Sequence, residues 1–198
     1  PEDVIAFDTG PGNMVIDALV SRYTGGKLSF DRGGRIARQG SIDRRLLGRL
    51  LRQPYYSAAP PKSAGREQFG AAFVERLLAT GLPLPTLIAT ATALTAVSIA
   101  EGIERFVRPR MPVDELIVSG GGAHNPTLMA HLAAFLPGAA LARSSDFGID
   151  VDAKEAIAFA VLAYETWRGR PANLPSATGA RHPVILGKLT PQPRRRGT

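Results

Sequence analysis

The sequence has no cysteine among its 198 residues. This absence excludes a disulfide scaffold, a thiolate zinc site, an iron–sulfur cluster and a cysteine nucleophile. Aromatic residues make up only 7%, and the three histidines lack metal-ligand spacing. The remaining composition, 44% hydrophobic and 21% charged, is typical of a globular domain. A chain of this length buries enough surface to fold without covalent cross-links.

Acidic residues are in deficit, with 17 Asp and Glu against 24 Lys and Arg and a formal charge of +7. Three of the arginines, residues 194–196, lie in a terminal segment, 191–198, that we expect to be a disordered basic tail. Arg44, Arg45, Arg49 and Arg52 have helical spacing without interleaved aromatics, which indicates a solvated helix face rather than a base-stacking surface. A basic nucleic-acid-binding module is therefore the weakest interpretation, and we expect no nucleic-acid partner.

We also expect no secretory leader, since the chain opens Pro-Glu-Asp without a basic segment followed by an apolar one. The most apolar stretch, residues 82–100, holds two prolines and many Thr and Ser residues and is followed by Glu101 and Glu104. It predicts a buried helix rather than a membrane span. We therefore expect a soluble, cytoplasmic protein with no membrane partner.

Predicted strands alternate with predicted helices. The strands fall at residues 3–7, 114–118 and 139–143, with a possible last strand at 184–186. The helices fall at residues 14–23, 41–53 (with Ser41 as N-cap), 66–80, 86–107, 125–136 and 152–168. This order predicts an α/β fold with a largely parallel core, in which helix outweighs strand.

The first candidate site is the turn from Asp8 to Asn13, which joins the predicted strand 3–7 to a helix. An acidic residue at the carboxyl end of a buried strand lies where α/β proteins bind ligands. Glycines in the turn let backbone amides approach an anion, and the next helix directs its positive end there. The pattern indicates a phosphate pocket beside a carboxylate, although a strand-end aspartate can also simply cap its turn.

A second turn, residues 119–125, carries three consecutive glycines between a strand and a helix. Such a run is entropically costly, and two explanations remain open: close passage of a base and ribose over the backbone, or tight packing. Neither turn matches the dinucleotide-binding or P-loop motif.

Two further segments, one with Glu155 and one with Lys62 and Arg66, each allow two interpretations. Glu155 directly precedes an apolar run, residues 156–163, so it is either a pocket residue or an ordinary surface glutamate. Lys62 and Arg66 bracket a turn before a helix. They either reach a phosphate or a sugar, or belong to a solvated loop.

Five blocks in a fixed order carry a family resemblance: FDTGPGNMVIDA (7–18), PPKSAGRE (60–67), ELIVSGGGAHNPTLM (115–129), GIDVDAKEAIAFAVLA (148–163) and NLPSATGA (173–180). Over residues 3–190 the chain resembles the C-terminal half of the anhydro-N-acetylmuramic acid kinases, in the sugar kinase/Hsp70/actin superfamily. The resemblance implies that residues 1–190 form a ribonuclease H-like (actin-like ATPase) domain, the second half of a two-domain kinase.

The resemblance also implies a reaction. Family members use ATP, Mg²⁺ and water to open 1,6-anhydro-N-acetylmuramic acid and phosphorylate O6, giving N-acetylmuramic acid 6-phosphate in peptidoglycan recycling and amino-sugar catabolism. By motif, Asp8 would be the general base and Glu155 a substrate contact. The expected cofactor-binding residues are Thr9, Gly10, Gly12 and Asn13 in a phosphate loop, and Gly120, Gly121, Gly122 and Asn125 in an adenosine motif. The resemblance assigns no metal ligand.

The chain departs from the family pattern in one large respect. The family's first domain contributes a Gly-Thr-Ser-x-Asp-Gly phosphate loop, which is absent here. Ala64 replaces a common threonine and Ser119 a common cysteine, and both changes are small. We therefore expect the N-terminal domain to be missing from this chain, the chain alone to be inactive, and the full-length protein to be a homodimer. The alternatives are a kinase for another sugar or a degenerate, non-catalytic member of the superfamily.

Overall fold

The computed structural model describes residues 4–190, which contain nine α-helices and two β-strands. The helices are α1 (Met14–Tyr23), α2 (Arg44–Leu51), α3 (Pro54–Ser57), α4 (Arg66–Phe69), α5 (Ala71–Leu78), α6 (Leu84–Gly102), α7 (Pro126–Phe135), α8 (Lys154–Trp167) and α9 (Pro175–Thr178). The strands are β1 (Glu115–Val118) and β2 (Ala140–Arg143). The predicted α/β, helix-rich class is confirmed, while the predicted tail at 191–198 lies outside the described residues.

Helix α6 forms the centre of the core. It is apolar on nearly every side, and every residue from 87 to 96 is buried. Helices α1, α2, α5 and α7 pack around it. The segment Leu84–Val107 is long and apolar enough to cross a membrane by length and composition, but 72% of its apolar window is buried inside the protein. The prediction of a buried core helix is confirmed.

The two strands form a small parallel sheet, with Glu115 opposite Ala140. Parallel strands need a long crossover connection, and here α7 lies in the connection between β1 and β2. Leu128 and Leu132 of α7 are buried against the inward side of the sheet. On the outward side of β1, Ile117 is 49% exposed.

The strands predicted at residues 3–7 and 184–186 are wrong. Asp3 lies outside the described residues, and residues 4–7 are irregular. A strand exists only when a neighbouring segment satisfies its backbone groups in a ladder. In the described part of the chain, neither segment has such a neighbour. After the first one, a single backbone bond from the Asp8 amide to the Lys62 carbonyl (3.0 Å) takes the place of a ladder.

Helix α2 is shorter than the predicted helix over residues 41–53. Its N-cap is Asp43, whose carboxylate accepts a hydrogen bond from the Leu46 amide at 2.7 Å, and not Ser41. A carboxylate at this position satisfies a free amide and also meets the positive end of the helix. All four arginines of the predicted basic face are exposed, as expected.

The predicted helix over residues 66–80 is divided into α4 and α5 at Gly70. The backbone at Gly70 is extended, with ψ at −151°. A Cβ atom at this position would overlap the carbonyl oxygen of Arg66, so only glycine fits the break. Periodicity alone did not reveal the interruption, because the apolar face continues across it.

Candidate functional site

The first glycine turn, residues 8–13, lies directly on the core helix. The Thr95 hydroxyl of α6 donates a hydrogen bond to the Gly12 carbonyl at 2.7 Å. A Cβ atom at Gly10 would come within 2.5 Å of the Ser98 hydroxyl oxygen, so any larger residue would lift the turn off the helix. The Thr95 hydroxyl therefore holds the turn and Ser98 packs against it, a function that the apolar sequence pattern of α6 did not reveal.

Four amides of this turn have no hydrogen-bond acceptor in the part of the chain that the structure describes. Within residues 4–190, the backbone N–H groups of Thr9, Gly10, Gly12 and Asn13 donate no hydrogen bond. Helix α1, ten residues long, begins immediately afterwards at Met14. Several free amides at the positive end of a helix are well suited to hold a phosphate or another anion.

Asp8 is held at the start of the turn. Its Oδ2 accepts a hydrogen bond from the Ala64 amide at 2.8 Å, and its own carbonyl accepts one from the Tyr55 hydroxyl at 2.6 Å. Burial, and then the charge of Asp8, raises the pKa of Tyr55 to about 12, so this hydroxyl remains a donor at neutral pH. The carboxylate is exposed and bonds a distant loop instead of its own turn, which argues against a simple capping role.

Lys62 supports this loop from the inside. Its ammonium group donates to the carbonyls of Tyr55 (3.1 Å) and Tyr56 (3.4 Å) and lies 4.8 Å from the centroid of the Tyr55 ring. Burial, with a smaller contribution from Arg105, lowers the pKa of Lys62. Of the two residues considered for phosphate or sugar contact, Lys62 is turned inward and Arg66 is exposed.

The second glycine turn meets the first one at Asn13. A Cβ atom at Gly121 would lie 3.4 Å from the Asn13 amide nitrogen, and one at Gly122 would lie 3.1 Å from the Leu128 side chain. Gly120 has a positive φ of 83° and donates its amide to the Val151 carbonyl at 2.7 Å. Close packing thus accounts for part of the glycine run.

Asn125 is the N-cap of α7. Its side-chain oxygen accepts hydrogen bonds from the amides of Thr127 (3.0 Å) and Leu128 (3.1 Å), and the residue is 7% exposed. This oxygen is therefore committed to the helix start, which leaves its amide nitrogen for a ligand.

A cavity of about 450 Å³ lies where the two turns meet. Its lining comprises Asn13, Ile16, Asp17, Phe30, Asp31, Arg32, Gly33, Gly121, His124 and Asn125. The volume is in the range of small-molecule sites. Polar and charged side chains outnumber the two apolar ones, Ile16 and Phe30, in its lining. Three of the predicted cofactor-binding residues share this cavity, whereas the contribution of residues 30–33 was not predicted.

Two carboxylates, those of Asp17 and Asp31, line this cavity. Asp31 is buried, and its two oxygens accept hydrogen bonds from the amides of Ile36 and Ala37, each at 2.9 Å. The Asp17 carboxylate has no hydrogen-bond partner among the described residues. Burial, and then the charge of Asp31, raises the pKa of Asp17 to about 6.

We expect Asp17→Asn to stabilise the chain above pH 6. Because the folded-state pKa of Asp17 is raised from 3.8 to about 6, its ionisation costs stability, and the cost develops as the pH rises through this window. Discounted for solvent screening, the gain at pH 8 is about 1 kcal/mol. Urea unfolding from pH 4 to pH 8 measures it. Asp114→Asn, the same change at an exposed site, is the control, and equal stability of the Asp17 variant and the unsubstituted chain at pH 8 would contradict the expectation.

Glu155 is an exposed residue in the first turn of α8. The segment before α8 lies against the second glycine turn, since the His124 ring nitrogen is 3.0 Å from an Asp152 oxygen. In the described part of the chain, no hydrogen bond or ion pair joins Glu155 to Asp8 or to either glycine turn. The structure thus brings the two turns together, and among the described residues it joins Glu155 to neither of them. Within the same residues, no group of three or more His, Cys, Asp or Glu side chains could hold a metal ion.

Together, these features define an α/β protein with a fixed carboxylate and two glycine turns that begin helices around a cavity. A family model described as anhydro-N-acetylmuramic acid kinase matches residues 1–192. The chain is 46% identical to the anhydro-N-acetylmuramic acid kinase of Caldanaerobacter subterraneus, over 96% of this chain and 49% of that protein. It is 47% identical to the one of Salinibacter ruber, over 96% of this chain and 48% of that protein.

Both relatives are kinases by name, and the chain is similar to each of them over 96% of its own length. The chain belongs to the anhydro-N-acetylmuramic acid kinase family, which confirms the resemblance found in the sequence. The chain spans about half the length of the curated relatives that it matches.

Proposed function

We propose that this chain is the C-terminal, actin-like domain, of ribonuclease H-like fold, of a cytoplasmic kinase. The full enzyme opens 1,6-anhydro-N-acetylmuramic acid and phosphorylates O6, in peptidoglycan recycling. The observation that carries the proposal is the first turn, where four amides with no acceptor among residues 4–190 lie next to a hydrogen-bonded, exposed carboxylate. Family membership connects this arrangement to the substrate.

In this proposal Asp8 is the general base. Water attacks the anomeric carbon, its proton passes to the Asp8 carboxylate, and the bond from that carbon to O6 breaks. The bonds from Ala64 and Tyr55 keep Asp8 oriented while one of its carboxylate oxygens remains without a protein partner among residues 4–190. A positioned base of this kind contributes about 10²–10⁴-fold to rate.

The residues present are suited to a nucleotide. The amides of Thr9, Gly10, Gly12 and Asn13 would hold phosphate oxygens, because they are free and lie at a helix start. The cavity beside Gly120, Gly121, Gly122 and Asn125 would take the nucleoside. When bound, ATP with its charge neutralised by Mg²⁺ would transfer its γ-phosphoryl group to the released O6 and leave as ADP. We propose Glu155 as a substrate contact at the edge of this arrangement.

The surface of α8 supports the view that more protein completes the enzyme. Although its sequence is strongly apolar, α8 has no buried residue, and Phe159 and Trp167 are 64% and 65% exposed. An apolar helix of a folded protein packs against other elements, and a large exposed apolar patch marks an interaction surface. We propose that an N-terminal domain, present in the relatives' additional length, completes the cleft, and that the full-length enzyme is a homodimer.

The test compares this chain with a full-length kinase that contains it. Each is incubated with ATP, Mg²⁺ and the anhydro-sugar, and N-acetylmuramic acid 6-phosphate is measured. We expect product from the full-length enzyme and none from this chain alone, because half of the cleft is missing. Turnover by this chain alone would contradict the two-domain proposal. If the full-length protein phosphorylates only a different sugar, it is a kinase for another sugar. If it phosphorylates none, it is a non-catalytic member of the superfamily.

A further inference from the structure

Asp17 lies on the ligand-facing side of α1. Residues four apart share one face of a helix, so Asn13 and Asp17 point to the same side, and both line the cavity. Asn13 is at the phosphate-binding turn and Asp17 is one turn further along α1. The helical rise puts Asp17 about 6 Å beyond Asn13 along the axis.

Of the two carboxylates that line this cavity, Asp17 and Asp31, only Asp17 has no hydrogen-bond donor among residues 4–190. Asp31 uses both oxygens to bond the amides of Ile36 and Ala37, whereas Asp17 bonds no group within residues 4–190. The other charged or titratable groups lining the cavity are Arg32 and His124. A half-buried carboxylate without a partner costs stability, and such costs are characteristic of functional positions.

We propose that Asp17 is a specificity-determining residue that accepts hydrogen bonds from the ribose hydroxyls of the bound nucleotide, an inference that rests on the proposed function. An ionised carboxylate has two acceptor oxygens and no donor, so it matches two neighbouring hydroxyl groups and repels phosphate. The sugar is the part of a nucleotide next to its phosphates, which agrees with the position of Asp17 one turn beyond the phosphate-binding amides. The apolar side chains of Ile16 and Phe30 are left for the base.

The test measures nucleotide binding to this chain by calorimetry at pH 8, where the Asp17 carboxyl is ionised. The nucleotides are ATP, its 2′-deoxy and 3′-deoxy analogues, and inosine triphosphate, which changes the base instead of the sugar. We expect Asp17→Asn to weaken ATP binding about tenfold or more, as loss of a charged hydrogen bond predicts. Removal of a ribose hydroxyl should weaken binding to the unsubstituted chain similarly and have little further effect on the variant. Asp114→Asn, which also removes one negative charge, should leave all affinities unchanged.

Each of the other possible outcomes would overturn a specific claim. If ATP binds the unsubstituted chain and the Asp17→Asn variant equally well, the inference is wrong while the proposed function stands. If the variant loses discrimination between ATP and inosine triphosphate but still distinguishes the deoxy analogues, Asp17 reads the base and the ribose assignment is wrong. If the unsubstituted chain binds none of the nucleotides, the proposed nucleotide site of this chain fails, and the inference fails with it.

Discussion

Replacement of Asp8 by asparagine in the full-length kinase is expected to lower turnover of the anhydro-sugar by about 10²–10⁴-fold. Asparagine has nearly the same shape, and its side-chain oxygen can still accept the hydrogen bond from the Ala64 amide. The backbone bonds of residue 8 to Lys62 and Tyr55 do not involve the side chain and should persist. The variant therefore removes the base while the turn remains in place. Steady-state kinetics with saturating ATP measures the effect.

Nucleotide affinity is the control that shows whether Asp8→Asn disturbs the structure of the turn. If Asp8 acts on water, Asp8→Asn should leave ATP binding within a few-fold of the unsubstituted enzyme, because the amides of the turn are unchanged. Asp114→Asn should leave turnover unaffected, since Asp114 lies outside the cavity and both turns. Unchanged turnover in the Asp8 variant would exclude the general-base assignment. An equal loss of ATP affinity and turnover would mean that Asp8 has only a structural role in the turn.

Substitution of Gly34 by alanine is expected to destabilise the fold far more than the same change at its neighbour Gly33. Both glycines have positive φ angles, 63° and 66°, so each substitution carries the strain of the left-handed region. A Cβ atom at Gly33 would meet open space within the described structure, but one at Gly34 would overlap the side chains of Asn125 and Thr127. Thr127 also donates its hydroxyl to the Gly34 carbonyl at 3.0 Å, so this contact joins the cavity wall to the start of α7.

We expect about 1 kcal/mol for Gly33→Ala and about 3 kcal/mol or more for Gly34→Ala. The lost stability corresponds to a decrease in Tm of about 2–4 °C per kcal/mol for a chain of this size. Chemical and thermal unfolding of the two variants measures the difference, and each serves as the matched control of the other. Equal destabilisation would mean that the loop can move away from α7 without cost, and the proposed rigid cavity wall would then be wrong.

Much of the fold followed from local patterns. Helix α1 was predicted at its observed bounds, because its apolar spacing begins directly after the glycine turn and ends before Gly25 and Gly26. The strands β1 and β2 and the crossover helix α7 were predicted for similar reasons. The break at Gly70 and the irregular residues 4–7 were not. The first depends on a carbonyl one turn earlier, and the second on whether a pairing strand is present.

The composition of the candidate site was also foreseeable only in part. Glycine turns at helix starts are local features, so the residues of both turns could be named in advance as candidate binding residues. Tyr55, Thr95 and Ser98, which contact the first turn, lie 47 to 88 positions away from the turn residues that they contact. No spacing rule links such positions, because their proximity arises from the packing of α3 and α6 against the turn.

The sequence by itself determined the α/β class, the two glycine turns and the family, since these depend on the order of neighbouring residues. Only the tertiary structure decided which side chains contact one another or line the same cavity. It committed the Asp31 oxygens to backbone amides, left the Asp17 carboxylate beside the cavity without a protein partner in the described chain, and turned Lys62 inward. The physical reason is that hydrogen-bond partners and desolvation depend on segments distant in sequence, which come together only when the core around α6 is packed.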